Sequence, residues 1–130
     1  MADKLNVSIV SPERELYTGA VDQVDLPGAE GNLGILPDHA PLMTAIRTGA
    51  ITVFDGQETL QFFVQGGFAD VTPDGLTVLA ERALPLQDVS KDDLATEIEK
   101  ARADIVNLSD EAELARRQDL EGLESIFNLV

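Results

Sequence analysis

Apolar and polar residues alternate from Leu5 onward. Leu5, Val7 and Ile9 fall on one side and Asn6 and Ser8 on the other, the period-two pattern of a half-buried strand. Ser11-Pro12 stops it, Glu13 to Tyr17 can pair back, and Thr18-Gly19 is expected to turn the chain again. Val21 to Leu26 alternates, Leu42 to Ile46 is apolar, and Ala50 to Phe54 is β-branched and aromatic. Asp55-Gly56 is the strongest short hairpin signal, with Leu60 to Val64 as the return strand. Gly66-Gly67 allows a bulge or a close backbone crossing before the short run Phe68 to Val71. Thr72-Pro73-Asp74-Gly75 makes a tight turn into Leu76 to Ala80. Eight to ten short strands with turn signals every ~8 to 12 residues predict an antiparallel sandwich or barrel.

The pattern changes at Asp88. Beyond it proline is absent, glycine occurs only as Gly122, and the apolar period becomes helical. Ser90 with Asp93 resembles a capping box. Leu94, Ile98, Ala101, Ile105 and Leu108 form one stripe. Asn107 to Ser109 breaks the helix, and Ser109 can cap a second one carrying Leu120, Leu123, Phe127 and Val130. A break this short predicts antiparallel neighbours. The expected fold is an all-β N-terminal sandwich over residues 1–86, followed by an α-helical hairpin over 87–130.

Charge and composition narrow the function. The 130 residues carry 24 acidic and 9 basic side chains, a net charge of −15, which opposes nucleic acid and anionic lipid as partners. Cysteine is absent, so no disulfide framework, thiolate metal site or thiol nucleophile exists. No apolar run approaches the ~20 residues that span a bilayer, and Met1-Ala2-Asp3-Lys4-Leu5 shows no signal or transit pattern. These features point to a soluble intracellular protein with acidic surfaces.

Residues 27 to 43 hold the remaining chemistry. Gly28, Gly31 and Gly34 shape the stretch, and Pro37 and Pro41 hold Leu36 and Ala40 out of helical geometry. A phosphate loop needs a Gly-Lys-Ser/Thr ending and a helix N-terminus, and both are missing. His39 is the sole histidine and has neither a catalytic partner nor co-ligands at metal spacing, so it reads as a surface or interface histidine. The hairpin carboxylates read as a solvated face, Arg116-Arg117 as helical pairing with Glu113, Asp119 and Glu121, and Glu81-Arg82-Ala83 as a connector with an ion pair. No cofactor, metal or catalytic site is expected.

Gly31-Asn32-Leu33-Gly34-Ile35-Leu36-Pro37-Asp38-His39-Ala40-Pro41-Leu42 resembles a signature, Gly-x-Leu-Gly-Ile-x-Pro-x-His-x-Pro-Leu, of the epsilon subunit of bacterial-type rotary F-type ATP synthase. Val10-Ser11-Pro12-Glu13, Gly66-Gly67-Phe68 and Leu76-Thr77-Val78-Leu79-Ala80 extend the resemblance over nearly the whole chain. The resemblance implies a ten-strand sandwich with a helical hairpin. It implies a non-catalytic central-stalk (rotor) subunit that links gamma to the c-ring and couples proton flow to ATP synthesis. The implied place is peripheral, on the cytoplasmic face of the bacterial inner membrane, without insertion. Gly31, Asn32, Leu33 and His39 are the implied c-ring contacts; Asn32 stands where many relatives have glutamate, so the expected contact there is a neutral hydrogen bond as the substitute for a charge pair.

Some members bind ATP through Ile/Leu-Asp-x-x-Arg-Ala; here the positions are Val89-Ser90-Lys91-Asp92-Asp93-Leu94, and ATP binding by that route is not expected. Some inhibit ATP hydrolysis when the hairpin extends into the alpha/beta head, using basic side chains against acidic ones. From Asp88 onward this chain has 12 acidic and 5 basic residues, so weak or no inhibition is expected. The alternatives from other classes are a nucleotide-sensing regulator using the glycine stretch and a free-standing β-sandwich adaptor.

Overall fold

The computed structural model describes residues 4–130; Met1, Ala2 and Asp3, read above for targeting signals, lie outside the described residues. Eight strands precede two helices. They are β1 (Leu5–Val10), β2 (Glu15–Val21), β3 (Gln23–Gly28), β4 (Gly31–Ile35), β5 (Leu42–Ala45), β6 (Gly49–Asp55), β7 (Glu58–Thr72) and β8 (Gly75–Pro85). A short 3-10 turn, Leu86–Asp88, leads to α1 (Lys91–Ile105) and α2 (Asp110–Leu129).

The strands hydrogen-bond in the order β2-β1-β8-β7-β6-β3-β4, with β5 also on β7. β7 and β8 are long because each serves two layers. Over 58–64 β7 pairs with β6, and over 68–71 its neighbour on that side is β5. The path folds over on itself at this switch. Tyr17 of β2 and Phe62 of β7 thereby meet edge to face, with ring centroids 6.1 Å apart. Ile9, Val21, Val24, Ile35, Ile51 and Val78, all fully buried, fill the space between the layers. Each layer holds five strand segments, so the ten strands implied by resemblance are eight continuous strands, two of them counted twice.

Gly66-Gly67 marks the crossing, at φ +77 and +128. The β7–β8 register runs unshifted from Gln65↔Arg82 to Gly67↔Ala80, so no bulge is present. The close crossing is the feature realised: a Cβ on Gly67 would lie 2.2 Å from the Leu79 carbonyl oxygen. The inward phase inverts there, from Phe62 and Val64 to Ala69 and Val71.

Two local expectations need correction. β2 runs straight through Thr18-Gly19, where a turn was expected. Gly19 sits under the Tyr17 ring, and an added Cβ would be 3.0 Å from its hydroxyl. Glu81-Arg82-Ala83 belongs to β8 and is no connector, although Arg82 does pair with Glu97 at 2.7 Å.

The helical hairpin covers the outer face of β6 and β7. Phe63 alternates outward from Phe62 and joins Leu94, Ile98, Ala101, Leu123 and Ile126 in a second core. Burial on both sides explains why Phe62, Phe63 and Val64 are buried in succession. Ser90 caps α1 by accepting from the Asp93 N–H at 3.3 Å, whereas Ser109 stands at the N-cap of α2 without a side-chain bond. Leu108, placed on the first stripe by spacing, falls past the end of α1 and is 38 % exposed. Ile126, outside the expected stripe, is fully buried.

Candidate functional site

The glycine-rich stretch forms one rim of the sandwich. Pro27-Gly28 ends β3, Ala29-Glu30 turns, and Gly31 opens β4 at φ +137, a conformation glycine tolerates. A strand was not expected inside this stretch. It forms because Leu33 and Ile35 alternate into the core beside Leu26 and Val24, their register partners. Leu36, Pro37, Asp38 and His39 then make a turn in which the His39 N–H donates to the Leu36 carbonyl at 3.2 Å. Proline second and a positive φ third (Asp38, +63) give it type II geometry. This turn carries the chain from β4, the edge of one layer, to β5, the edge of the other.

The expected contact residues separate into two groups. Gly31, Asn32 and Leu33 stand at the β3–β4 tip, with Asn32 exposed and Leu33 half-buried against the core. His39 lies beyond the far end of β4, about 13 Å of strand away from Gly31. Its Nδ1–H donates to the Ala40 carbonyl at 2.7 Å. Asn32 lines a cleft of about 520 Å³ with Arg47, Gly122 and Ser125. His39 lines a different one of about 310 Å³ with Lys4, Asn6 and Asp74. Of the apolar residues Leu33, Ile35 and Leu36 in this stretch, Ile35 is a core anchor and Leu36 faces outward at 52 % exposure.

Residues far along the chain hold the tip, and no short-range signal announces them. The Arg47 backbone N–H donates to the Pro27 carbonyl at 2.8 Å, and its Nε–H to the Gly28 carbonyl at 3.0 Å. The Ala29 N–H donates to Thr44 Oγ1 at 3.3 Å. The Asn32 cleft is walled on its other side by α2, through Gln118, Glu121 and Ser125. Such a rim offers backbone, amide and carboxylate groups for docking. Among the described residues no group of three or more His, Cys, Asp or Glu side chains is placed to hold a metal ion.

The opposite face of the molecule has a different character. Val10, Leu79, Phe68 and Ala45 stand side by side across β1, β8, β7 and β5. Phe68 and Leu79 are each 57 % exposed, and Met43, two residues from Ala45, is 67 % exposed. This apolar row lies on the layer the helices leave uncovered. No helix among the described residues is long and apolar enough to cross a membrane.

Three comparisons bear on this arrangement. Residues 4–86 match the family model described as ATP synthase, Delta/Epsilon chain, beta-sandwich domain. The ATP synthase epsilon chain of Maricaulis maris is 51 % identical over 113 residues, covering 87 % of this chain and 85 % of that one. The ATP synthase epsilon chain of Parvibaculum lavamentivorans is 45 % identical over 130 residues, 99 % of this chain and 97 % of its own. Among solved structures, a chain of the Euglena gracilis mitochondrial ATP synthase (OSCP/F1/c-ring, rotational state 1) superposes with a TM-score of 0.80. It is 22 % identical and covers 99 % of this chain and 82 % of that one, a likeness of fold.

Proposed function

This chain belongs to the ATP synthase delta/epsilon-chain family, and from that membership we propose that it is the non-catalytic rotor subunit that joins gamma to the c-ring. In that place it couples proton flow to ATP synthesis from the periphery of the bacterial inner membrane, on its cytoplasmic face. The observation that carries the reading is the 45 % identity sustained over 99 % of the chain, sandwich and hairpin together.

Two surfaces support it. The rim bearing Gly31, Asn32, Leu33 and His39 is the c-ring side, where polar and backbone groups suit the ring's polar loops. The apolar row of Phe68, Leu79 and Met43 is the gamma side. Full burial of a large apolar side chain is worth about 1.5 to 3 kcal/mol; these side chains are a little over half exposed, so roughly half of that remains to be gained at each, and a standing subunit contact covers such a row permanently. The helical hairpin, packed on the remaining face, contributes at most weak control of ATP hydrolysis.

Co-purification tests the reading. The tagged full chain, mixed with purified gamma and detergent-solubilised c-ring, is expected to retain both. Phe68→Asp is expected to weaken retention of gamma. Recovery of the chain with neither partner overturns the assignment and revives the free-standing adaptor; tight MgATP binding by calorimetry revives the nucleotide-sensing regulator.

A further inference from the structure

We propose that Asp119 is the hub of a polar latch that fastens both helices to the Gln65–Arg82 rung of the sandwich, so that the hairpin opens and recloses as one body while the sandwich stays folded. The latch is a property of this chain alone and stands whether or not the rotor reading does. The two cores make separate opening possible. They share no buried residue, since Phe62 belongs to the inner core and Phe63 to the outer one, with the sheet between them. The covalent link between sandwich and hairpin is short. It passes through the 3-10 turn Leu86–Asp88, which contains no buried residue, and Val89 to the Ser90 cap. Apolar burial in the outer core holds the helices down, but it is non-directional. The directional contacts lie elsewhere.

Among the described residues, three side-chain hydrogen bonds cross from helices to sandwich, and they gather at one place. The Thr48 hydroxyl and Gln65 Nε2 both donate to Asp119 Oδ1, the second at 3.3 Å. Arg82 Nη1 donates to Glu97 at 2.7 Å and also to Gln65 Oε1 at 2.9 Å. Gln65 and Arg82 face each other in the β7–β8 register, and the Arg82 guanidinium lies 5.3 Å from the centre of the Phe63 ring. The other oxygen of Asp119 accepts from Arg116, which reaches across to Asp104 of α1 at 3.1 Å. One carboxylate therefore ties the sandwich, α2 and α1 together. Further along, Arg102 meets Glu124 at 3.1 Å and Lys91 donates to the Val130 carbonyl at 3.2 Å. These last bonds run from helix to helix. They survive when the hairpin lifts, whereas the three crossing bonds break.

Exposure ranks the crossing bonds. The Asp119 side chain is 19 % exposed, while those of Arg82 and Glu97 are 48 % and 34 % exposed. A pair as open to water as Arg82–Glu97 contributes little. Asp119 is different because its loss strands three donors, the Thr48 hydroxyl, the Gln65 amide and the Arg116 guanidinium. Donors left unsatisfied in a half-buried seam cost more than the bonds themselves contribute.

The full chain has no cysteine, so a single introduced thiol reports opening: a buried thiol stays inert until the structure around it opens. Ala101→Cys reports from α1 and Ile126→Cys from α2, both at fully buried positions of the outer core, and Ala69→Cys reports from the inner core. Labelling with Ellman's reagent under native conditions is compared with and without Asp119→Ala in each background. Asp119→Ala is expected to speed labelling at positions 101 and 126 alike, by at least about tenfold, and to leave position 69 unchanged. Asp119→Asn keeps an oxygen for Thr48 and Gln65 but loses the charge facing Arg116, and is expected to fall between. Unchanged rates at 101 and 126 overturn the latch and leave apolar contact as the hold. A rise at 126 without one at 101 overturns the single body, and a matching rise at 69 overturns the independence from the sandwich. If Asp119→Ala does not fold, Thr48→Val removes one donor from the sandwich side. It is expected to speed labelling at 101 and 126 by about threefold, and parental rates in that variant overturn the latch equally.

Discussion

Asp22 is the residue whose titration is tied most directly to the fold. It accepts from Lys4 Nζ at 2.7 Å and from the Gly56 N–H at 2.6 Å, and Lys4 also reaches Asp55 at 3.3 Å. The cluster pins the start of β1 to the β6–β7 turn. The Lys4 bond, then the Gly56 N–H, hold the Asp22 carboxyl below its ordinary value; bonds to Asp22 and Asp55 push Lys4 above its own. The two signs bound a window. A lowered carboxyl contributes stability that is complete above its unfolded value of about 3.9 and is lost as pH falls through the folded value. A raised ammonium contributes stability that is complete below about 10.4 and is lost as pH rises through its folded value. Both groups lie in solvent, so the contribution is small and salt-sensitive. Asp22→Asn is therefore expected to flatten the acid limb of the stability profile below about pH 4, with the difference shrinking in high salt. Urea denaturation from pH 2 to 7 at low and high salt measures it, and an unchanged acid limb rules the coupling out.

Between elements, the contact with the least tolerance is that of α2 on the β5–β6 connection. A Cβ on Gly122 would sit 2.0 Å from the Thr48 carbonyl oxygen, a backbone atom that cannot rotate away. One turn earlier, Asp119 accepts from the Thr48 hydroxyl and from Gln65 Nε2, and pairs with Arg116, which also reaches Asp104 at 3.1 Å. Gly122→Ala gains about 1 kcal/mol of helix propensity and forces overpacking that costs about 1 to 3 kcal/mol. The clash wins because the obstruction is main chain. The variant is expected to lose net stability and to expose Phe63, as read by a lowered denaturation midpoint and by faster exchange of the β7 amides under α2. A variant as stable as the parent shows that the helix relocates freely. The sequence announced Gly122 only as the one glycine of a helical region. Its reason is a contact 74 positions away in the chain, which no local period encodes. The same distinction separates what was legible from what was not. The alternating strands, the Asp55-Gly56 hairpin, the Ser90 cap and the pairing of Arg116 and Arg117 are local, and they stood in the pattern. β4, the unbroken passage of β7 through Gly66-Gly67, and the hold of Arg47 on Gly28 depend on neighbours brought in by the fold. At the rim the motif residues were visible, but not that Asn32 and His39 line separate clefts.

At the scale of the whole molecule, the charge of the hairpin bears on the expected weakness of any inhibitory contact it could make away from the sandwich. An inhibitory contact with an acidic surface needs basic side chains free to make it. Residues 88–130 hold five, against twelve acidic ones. Arg102 pairs with Glu124, Arg116 with Asp104 and Asp119, and Arg117 with Glu113. Lys91 donates to the Val130 carbonyl at 3.2 Å and lies over the Phe127 ring at 4.7 Å. Lys100 is the one basic side chain of the hairpin without such a partner among the described residues. Extension must also give up the second core around Phe63 and the Arg82–Glu97 pair at 2.7 Å. Losing these contacts and gaining repulsion both favour the folded hairpin. On the reading that the hairpin exerts at most weak control, deleting residues 88–130 in the assembled complex is expected to change ATP hydrolysis less than about threefold. The truncated chain bares Phe63, so the comparison includes Phe63→Ser in the deleted form to keep the sandwich soluble. Hydrolysis by matched complexes, with and without the hairpin, measures the effect. A tenfold or greater activation, about 1.4 kcal/mol of relieved inhibition, means that the hairpin reaches the head despite its charge, by contacts other than its basic side chains.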